Sequence, residues 1–292
     1  MRCPSIPLLL AFFMSLTVVG SPFLSSPLAA QSRSKNNRQS QSKHDLDKPK
    51  TEIKVRMSKD TDTPVLILDN VGGFRMKALP GHEPTPMLQI FSDGRVLAGS
   101  KSNLVKVVAG QMDLIELQKL LVFISDDSRF FDITSEMLKA DIEANQIAKI
   151  MDAPTTTLTV NLKDHSNEVQ VYGLPNAPGR LARVPSVAAM IGIVSRCRKV
   201  IVQTKLGSKE ETGEALAGVN KALSDKFPKV AEFTIENLRG AEQFVDGRRT
   251  ASFAQDFETD GKSMLAYATR EVDANGKESV TVDVIEQKKR KR

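Results

Sequence analysis

The sequence predicts an α+β fold of mainly antiparallel sheets with packed helices, ending in a helix plus a four-stranded antiparallel meander. Three observations predict it. Apolar residues recur at helical spacing in three stretches, alternating β-branched runs lie between them, and Asp-Gly or Asn-Gly pairs separate those runs at hairpin distance.

The first strand is the apolar run Val65 to Leu68, ended by Gly72-Gly73. Pro80, Pro84 and Pro86 mark a loop. Met87 to Phe91 then reads as a strand that turns at Asp93-Gly94 into Arg95 to Ala98, a pair that suits a hairpin turn because both residues tolerate positive φ. Asp113 opens a helix whose apolar stripe is Leu114, Leu117, Leu120, Leu121 and Ile124. Phe130-Phe131 is expected to seal that helix onto the sheet, and Thr134-Ser135-Glu136 to open a shorter one. Thr156 to Leu162 and Glu168 to Tyr172 alternate across Asp164 to Asn167 as a further hairpin.

Pro185 starts a helix carrying Met190, Ile191, Val194 and Cys197. Ser208 and Glu211 make a capping-box pattern ahead of Leu216, Val219, Leu223 and Phe227, and Pro228 stops the helix. Asp246-Gly247, Asp260-Gly261 and Asn275-Gly276 then divide Ala241–Val245, 248–258, 262–272 and 277–286 into four strands. Val280, Val282 and Val284 share one face.

Two ends differ from this body. Met1-Arg2, an apolar run from Ile6 to Val19 and Leu28-Ala29-Ala30 have the layout of a secretory signal peptide, 1–30, cleaved after Ala30. The run is shorter than the roughly 20 residues a membrane span needs. Residues 31–60 are polar and predicted to be a disordered leader. The body divides into α+β units at 61–205 and 206–287, and 288–292 is a basic tail. The expected address is therefore export, to the periplasm or outside the cell as a secreted protein, with no transmembrane segment in the mature chain.

Charge follows the same division. The leader holds 9 basic and 4 acidic residues and the tail five cations, so the body between them is net negative. A folded nucleic-acid-binding domain would carry its basic face on the body, so no specific nucleic acid is expected. Lys288, Lys289, Arg290, Lys291 and Arg292 instead suit weak contact with a polyanion or anionic lipid. With Cys3 in the signal segment, Cys197 has no internal partner for a disulfide.

Catalytic motifs are sparse. His44 lies in the leader, His82 in a Pro-rich loop beside Glu83, and His165 in a hairpin turn. No spacing resembles a metal site, nucleophile elbow, phosphate loop or dinucleotide fingerprint. No cofactor is expected, and the preferred reading is a non-enzymatic envelope or extracellular binding protein whose partner is a protein or envelope component. The rival is a hydrolase assembled from His82, Asp93 and Cys197. Cys197 continues an apolar stripe and reads as core, Ser186 and Ser195 have no base partner visible in the sequence, and of the turn carboxylates Asp69, Asp93 and Asp152 the last two read as structural.

Two resemblances add to this. Gly72-Gly73-Phe74, Leu88-Gln89-Ile90-Phe91 before Asp93-Gly94-Arg95-Val96, a helix with Glu116, Leu120 and Leu121, Asp152-Ala153-Pro154-Thr155-Thr156 and Val169 to Leu174 follow one another in order. This stretch resembles an uncharacterised family of exported bacterial proteins, which implies export and an α+β domain. The C-terminal third resembles the cystatins, where a long helix precedes an antiparallel sheet whose first hairpin bears Gln-x-Val-x-Gly. Here Gln243, Phe244, Val245, Asp246 and Gly247 stand at that place, while the second hairpin lacks the cystatin Pro-Trp pair. That resemblance implies a hairpin that binds a cysteine protease.

Overall fold

The structure, a computed structural model, describes residues 55–72, 85–99, 102, 104–144, 153–174, 184–259 and 262–287. Residues Thr51–Arg292 form one compact unit. It holds a six-stranded and a four-stranded sheet, both antiparallel, and four α-helices among the described residues. The α+β reading therefore holds, as does the C-terminal helix with its meander.

The first sheet runs in the order β4-β3-β2-β1-β5-β6. Its strands are β1 (Pro64–Val71), β2 (Leu88–Phe91), β3 (Arg95–Ala98), β4 (Val108–Gln111), β5 (Thr155–Asn161) and β6 (Ser166–Tyr172). Strand β1, first in the chain, is central: Ile67 pairs with Gln89 of β2 and Thr159 of β5. Alternation buries Leu66, Leu68, Leu88, Ile90, Leu158 and Val160. Helices α1 (Leu114–Val122), α2 (Ser135–Ala144) and α3 (Pro185–Leu206) supply the rest of that core through Leu117, Leu121, Leu138, Met190 and Cys197.

Details depart from the sequence reading. Helix α1 gives way to a π turn over Phe123–Asp127, which carries Ile124 into the core. Leu114, expected in the apolar stripe, is exposed because it lies at the first turn, beside the Asp113 cap. Phe130 is buried as expected, and Asn167 Nδ2 fixes its turn by donating to the carbonyls of Phe130 and Ile133.

The body also begins before Asp60. Val55 and Met57 pack against the first core, and Lys163 N–H donates to Arg56 O, so residues 55–60 of the expected leader are seated on the fold. Their apolar alternation, Val55 and Met57, is what the surrounding Lys and Arg residues mask.

The second sheet has the order β10-β9-β8-β7: β7 (Leu238–Gln243), β8 (Arg249–Thr259), β9 (Lys262–Val272) and β10 (Glu278–Glu286). Helix α4 (Lys209–Lys226) lies on it through Ala215, Val219 and Leu223. Its capping box forms: Glu211 N–H donates to Ser208 Oγ and Ser208 N–H to the Glu211 carboxylate. Leu216 and Phe227 are only partly buried.

The two sheets share no strand. Helix α3 packs on both, touching β3 and β4 of the first and β7 of the second. Lys205 to Lys209, where a boundary was expected, holds the turn between α3 and α4 at Gly207-Ser208, inside the one compact unit. No described helix is long and apolar enough to cross a membrane.

Candidate functional site

The hairpin joining β7 and β8 is a three-residue loop. Phe244 N–H donates to Arg248 O and Gly247 N–H to Phe244 O, with Gly247 at φ +92°. Only the glycine takes positive φ, at Gly94 as well as Gly247. The aspartates do not. Their side chains explain this: Asp93 Oδ1 accepts from Arg95 N–H and Asp246 Oδ1 from Arg248 N–H, local bonds that hold an ordinary right-handed turn.

Arg248 completes the Asp246 turn. Its Nε lies 2.8 Å from Asp246 Oδ2, and its guanidinium sits 4.8 Å from the Phe244 ring centre. The Arg248 backbone N–H and then its guanidinium hold the Asp246 carboxyl below the usual aspartate range. The β9–β10 turn, Asp273–Lys277, repeats this design, with Asp273 Oδ1 accepting from Asn275 and Lys277 N–H. The two turns lie side by side: a Cβ built on Gly247 would stand 3.7 Å from Ala274 Cα.

The base of the hairpin is anchored. Gln243 Nε2 donates to Lys205 O at 2.9 Å, and Lys205 Nζ meets Glu242 Oε2 at 2.7 Å. The outer edge is also taken. Lys106 N–H donates to Gln243 O and Val245 N–H to Leu104 O, an antiparallel bridge between residues 104–106 and the hairpin. This bridge sets two exposed apolar residues opposite each other: Val245 (55% exposed) and Leu104 (62%). The sequence reading passed over Leu104. The only local signal was the apolar run Leu104-Val105-Lys106-Val107-Val108, and nothing nearby in sequence points to position 245.

Of the rival hydrolase's residues, His82 lies outside the described residues, and Asp93 and Cys197 stand in different surroundings. Cys197 is fully buried, and burial pushes its thiol up to about 12, the opposite of an activated nucleophile. Asp93 is on a surface turn, bonded to Arg95, whose N–H groups hold it below the usual range. His44, His82, Glu83, Asp152 and the tail Lys288–Arg292 lie outside the described residues. His165 rests against Phe131, ring centres 5.8 Å apart. Ser186 donates to Asp141 Oδ2 at 2.5 Å as a buried link between α3 and α2. Among the described residues no group of three His, Cys, Asp or Glu side chains converges as for a metal.

One interior niche is polar. Lys205, Arg249, Arg270 and Thr250 line a cavity of about 10 Å³. Arg270 Nε faces the interior without a hydrogen-bond partner, while Arg270, Arg249 and Lys205 each pair with a glutamate. The space suits about one water molecule.

No family model matches this chain, and neither a curated protein nor a solved structure matches it significantly.

Proposed function

We propose that the chain is an exported, non-enzymatic interaction module that contacts a protein partner through the Phe244–Arg248 hairpin and the segment 104–106 bridged to it. The observation that carries this reading is the pairing of exposed Val245 with exposed Leu104 at an anchored turn. Exposed apolar side chains grouped within a polar rim favour association. A turn already fixed by Asp246, Arg248 and Gly247 loses little conformational freedom when bound. The export address rests on residues 1–30, and the likeness to exported bacterial proteins agrees with it.

Site-directed photocrosslinking in the native cell tests the reading. A photoreactive residue at 245 should give one discrete crosslinked protein, and the same residue at Tyr172, exposed on β6, should not. Equal labelling from both positions, or none from 245, would sink it.

A second reading is favoured by the paired turns. Two adjacent hairpins at one end of a helix-plus-meander unit are the parts a cystatin-like wedge uses. Gln243 weighs against it, because its amide is bound to Lys205 O and its backbone carbonyl to Lys106. Titration of the full chain against papain separates the two. Inhibition abolished by Val245→Asp supports the wedge, and no inhibition at micromolar protein removes it.

A further inference from the structure

Strand β10 is the open edge of the second sheet. Hydrogen-bonded pairs alternate along an antiparallel ladder. Asp273 N–H donates to Lys277 O at one end and Gln287 N–H to Ser263 O at the other. With the register Val282↔Ala268, the backbones of Ser279, Thr281, Asp283 and Ile285 therefore face β9. Glu278, Val280, Val282, Val284 and Glu286 turn their N–H and C=O groups outward. Among the described residues only Lys226 Nζ reaches this row, at 3.4 Å from Val282 O. The strand has no bulge and no proline. Such an edge is a template for a further strand.

The order of side chains says which strand fits. The outward row reads Glu, Val, Val, Val, Glu in either direction about Val282. We infer that β10 pairs with β10 of a second copy of this chain, antiparallel about a two-fold axis at Val282, to make a continuous eight-stranded sheet. This surface is separate from the hairpin site and does not rest on it. In that register Val280 faces Val284 of the copy, a favourable β-branched pair. Glu278 faces Glu286, but each carboxylate brings its own cation: Arg270 Nη2 is 2.9 Å from Glu278 and Lys262 Nζ 2.9 Å from Glu286. On the other face Thr281 meets Asp283, a hydroxyl donor opposite an acceptor, and exposed Ile285 gains cover from Ser279. An isologous contact of this kind closes at two copies. One strand pair buries less than the roughly 1,600 Å² of a standard interface, so the dimer is weak and depends on concentration.

The full chain is tested by sedimentation equilibrium and by disulfide trapping. Val280→Pro removes an N–H that points away from β9, so the ladder within the sheet survives while the new pairing does not. It should weaken the dimer about tenfold or more. The double variant Thr281→Cys with Asp283→Cys should trap a covalent dimer on mild oxidation, because those positions face each other across the axis. Each single variant should trap little. If Val280→Pro fails to fold, the cysteine pair decides alone. A chain monomeric at high micromolar concentration, or a dimer that Val280→Pro leaves intact and the cysteine pair does not trap, overturns the inference.

Discussion

Lys205 Nζ stands 2.7 Å from Glu242 Oε2, with the lysine 6% exposed and the glutamate 43%. The cation is thus the desolvated partner and the carboxylate its link to water. This contact joins α3 to β7 and lies directly under the candidate hairpin.

That asymmetry predicts unequal mutants. Glu242→Gln leaves a buried ammonium without its counter-charge and should cost about 1–3 kcal/mol, below a fully buried pair because the glutamate is half exposed. Lys205→Met removes the charge and keeps the stem, so its cost should be smaller. Urea unfolding of both variants measures this; equal losses would show that the charge asymmetry does not matter.

Gly207 should resist substitution. It ends α3 at φ +115°, and a Cβ there would approach Glu211 Oε2 to 2.0 Å. Gly207→Ala therefore strains the backbone and displaces the carboxylate that caps α4 and pairs with Arg249. A loss of about 1–3 kcal/mol is expected from backbone strain alone. A chain as stable as the parent, by thermal unfolding, would contradict it.

Cys197 should be silent until the core opens. Burial holds its thiol near 12, and its side chain is sealed within the first core. A thiol reagent at neutral pH should label it only at the rate of unfolding, read by peptide mapping across a urea series. Rapid labelling of the native chain would restore it as a candidate nucleophile.

The Asp246 turn should be acid-sensitive in one direction only. Its folded carboxyl ionises below the usual range, so its contribution is complete above the unfolded aspartate value of about 4. It is lost as pH falls through the lower folded value. The Arg248 amide resonance, followed by NMR, should move only in that acidic window and should stop moving in Asp246→Asn.

The hairpins and helix starts were legible because their signals are local. Asp246-Gly247, the Ser208/Glu211 cap and the Val280, Val282, Val284 alternation each declare an element within a few residues. The position of β1 between β2 and β5 was not legible, since a period of two shows which face is buried and not which strand is the neighbour. The candidate site was half legible for the same reason. Gln243 to Gly247 stood out as a turn, but the bridge to Leu104 and Lys106 is a pairing across more than a hundred residues and leaves no local mark. Asp93-Gly94 and Asp246-Gly247 turn where the sequence placed them, only the glycine at positive φ because the aspartate side chain selects the turn type, and Asp260-Gly261 lies outside the described residues.

The central place of β1 has a consequence for how the chain folds as it emerges in order. Leu66 and Val160 are neighbours in the sheet, so the first sheet cannot close until β5 has left the ribosome. The meander needs only strands adjacent in sequence, β7 through β10, and contacts of that range form quickly. For the interval before β5 arrives, β1 has only β2 beside it and presents Leu66 and Leu68 to whatever is nearby. A holding chaperone would find its target there, at the start of the body.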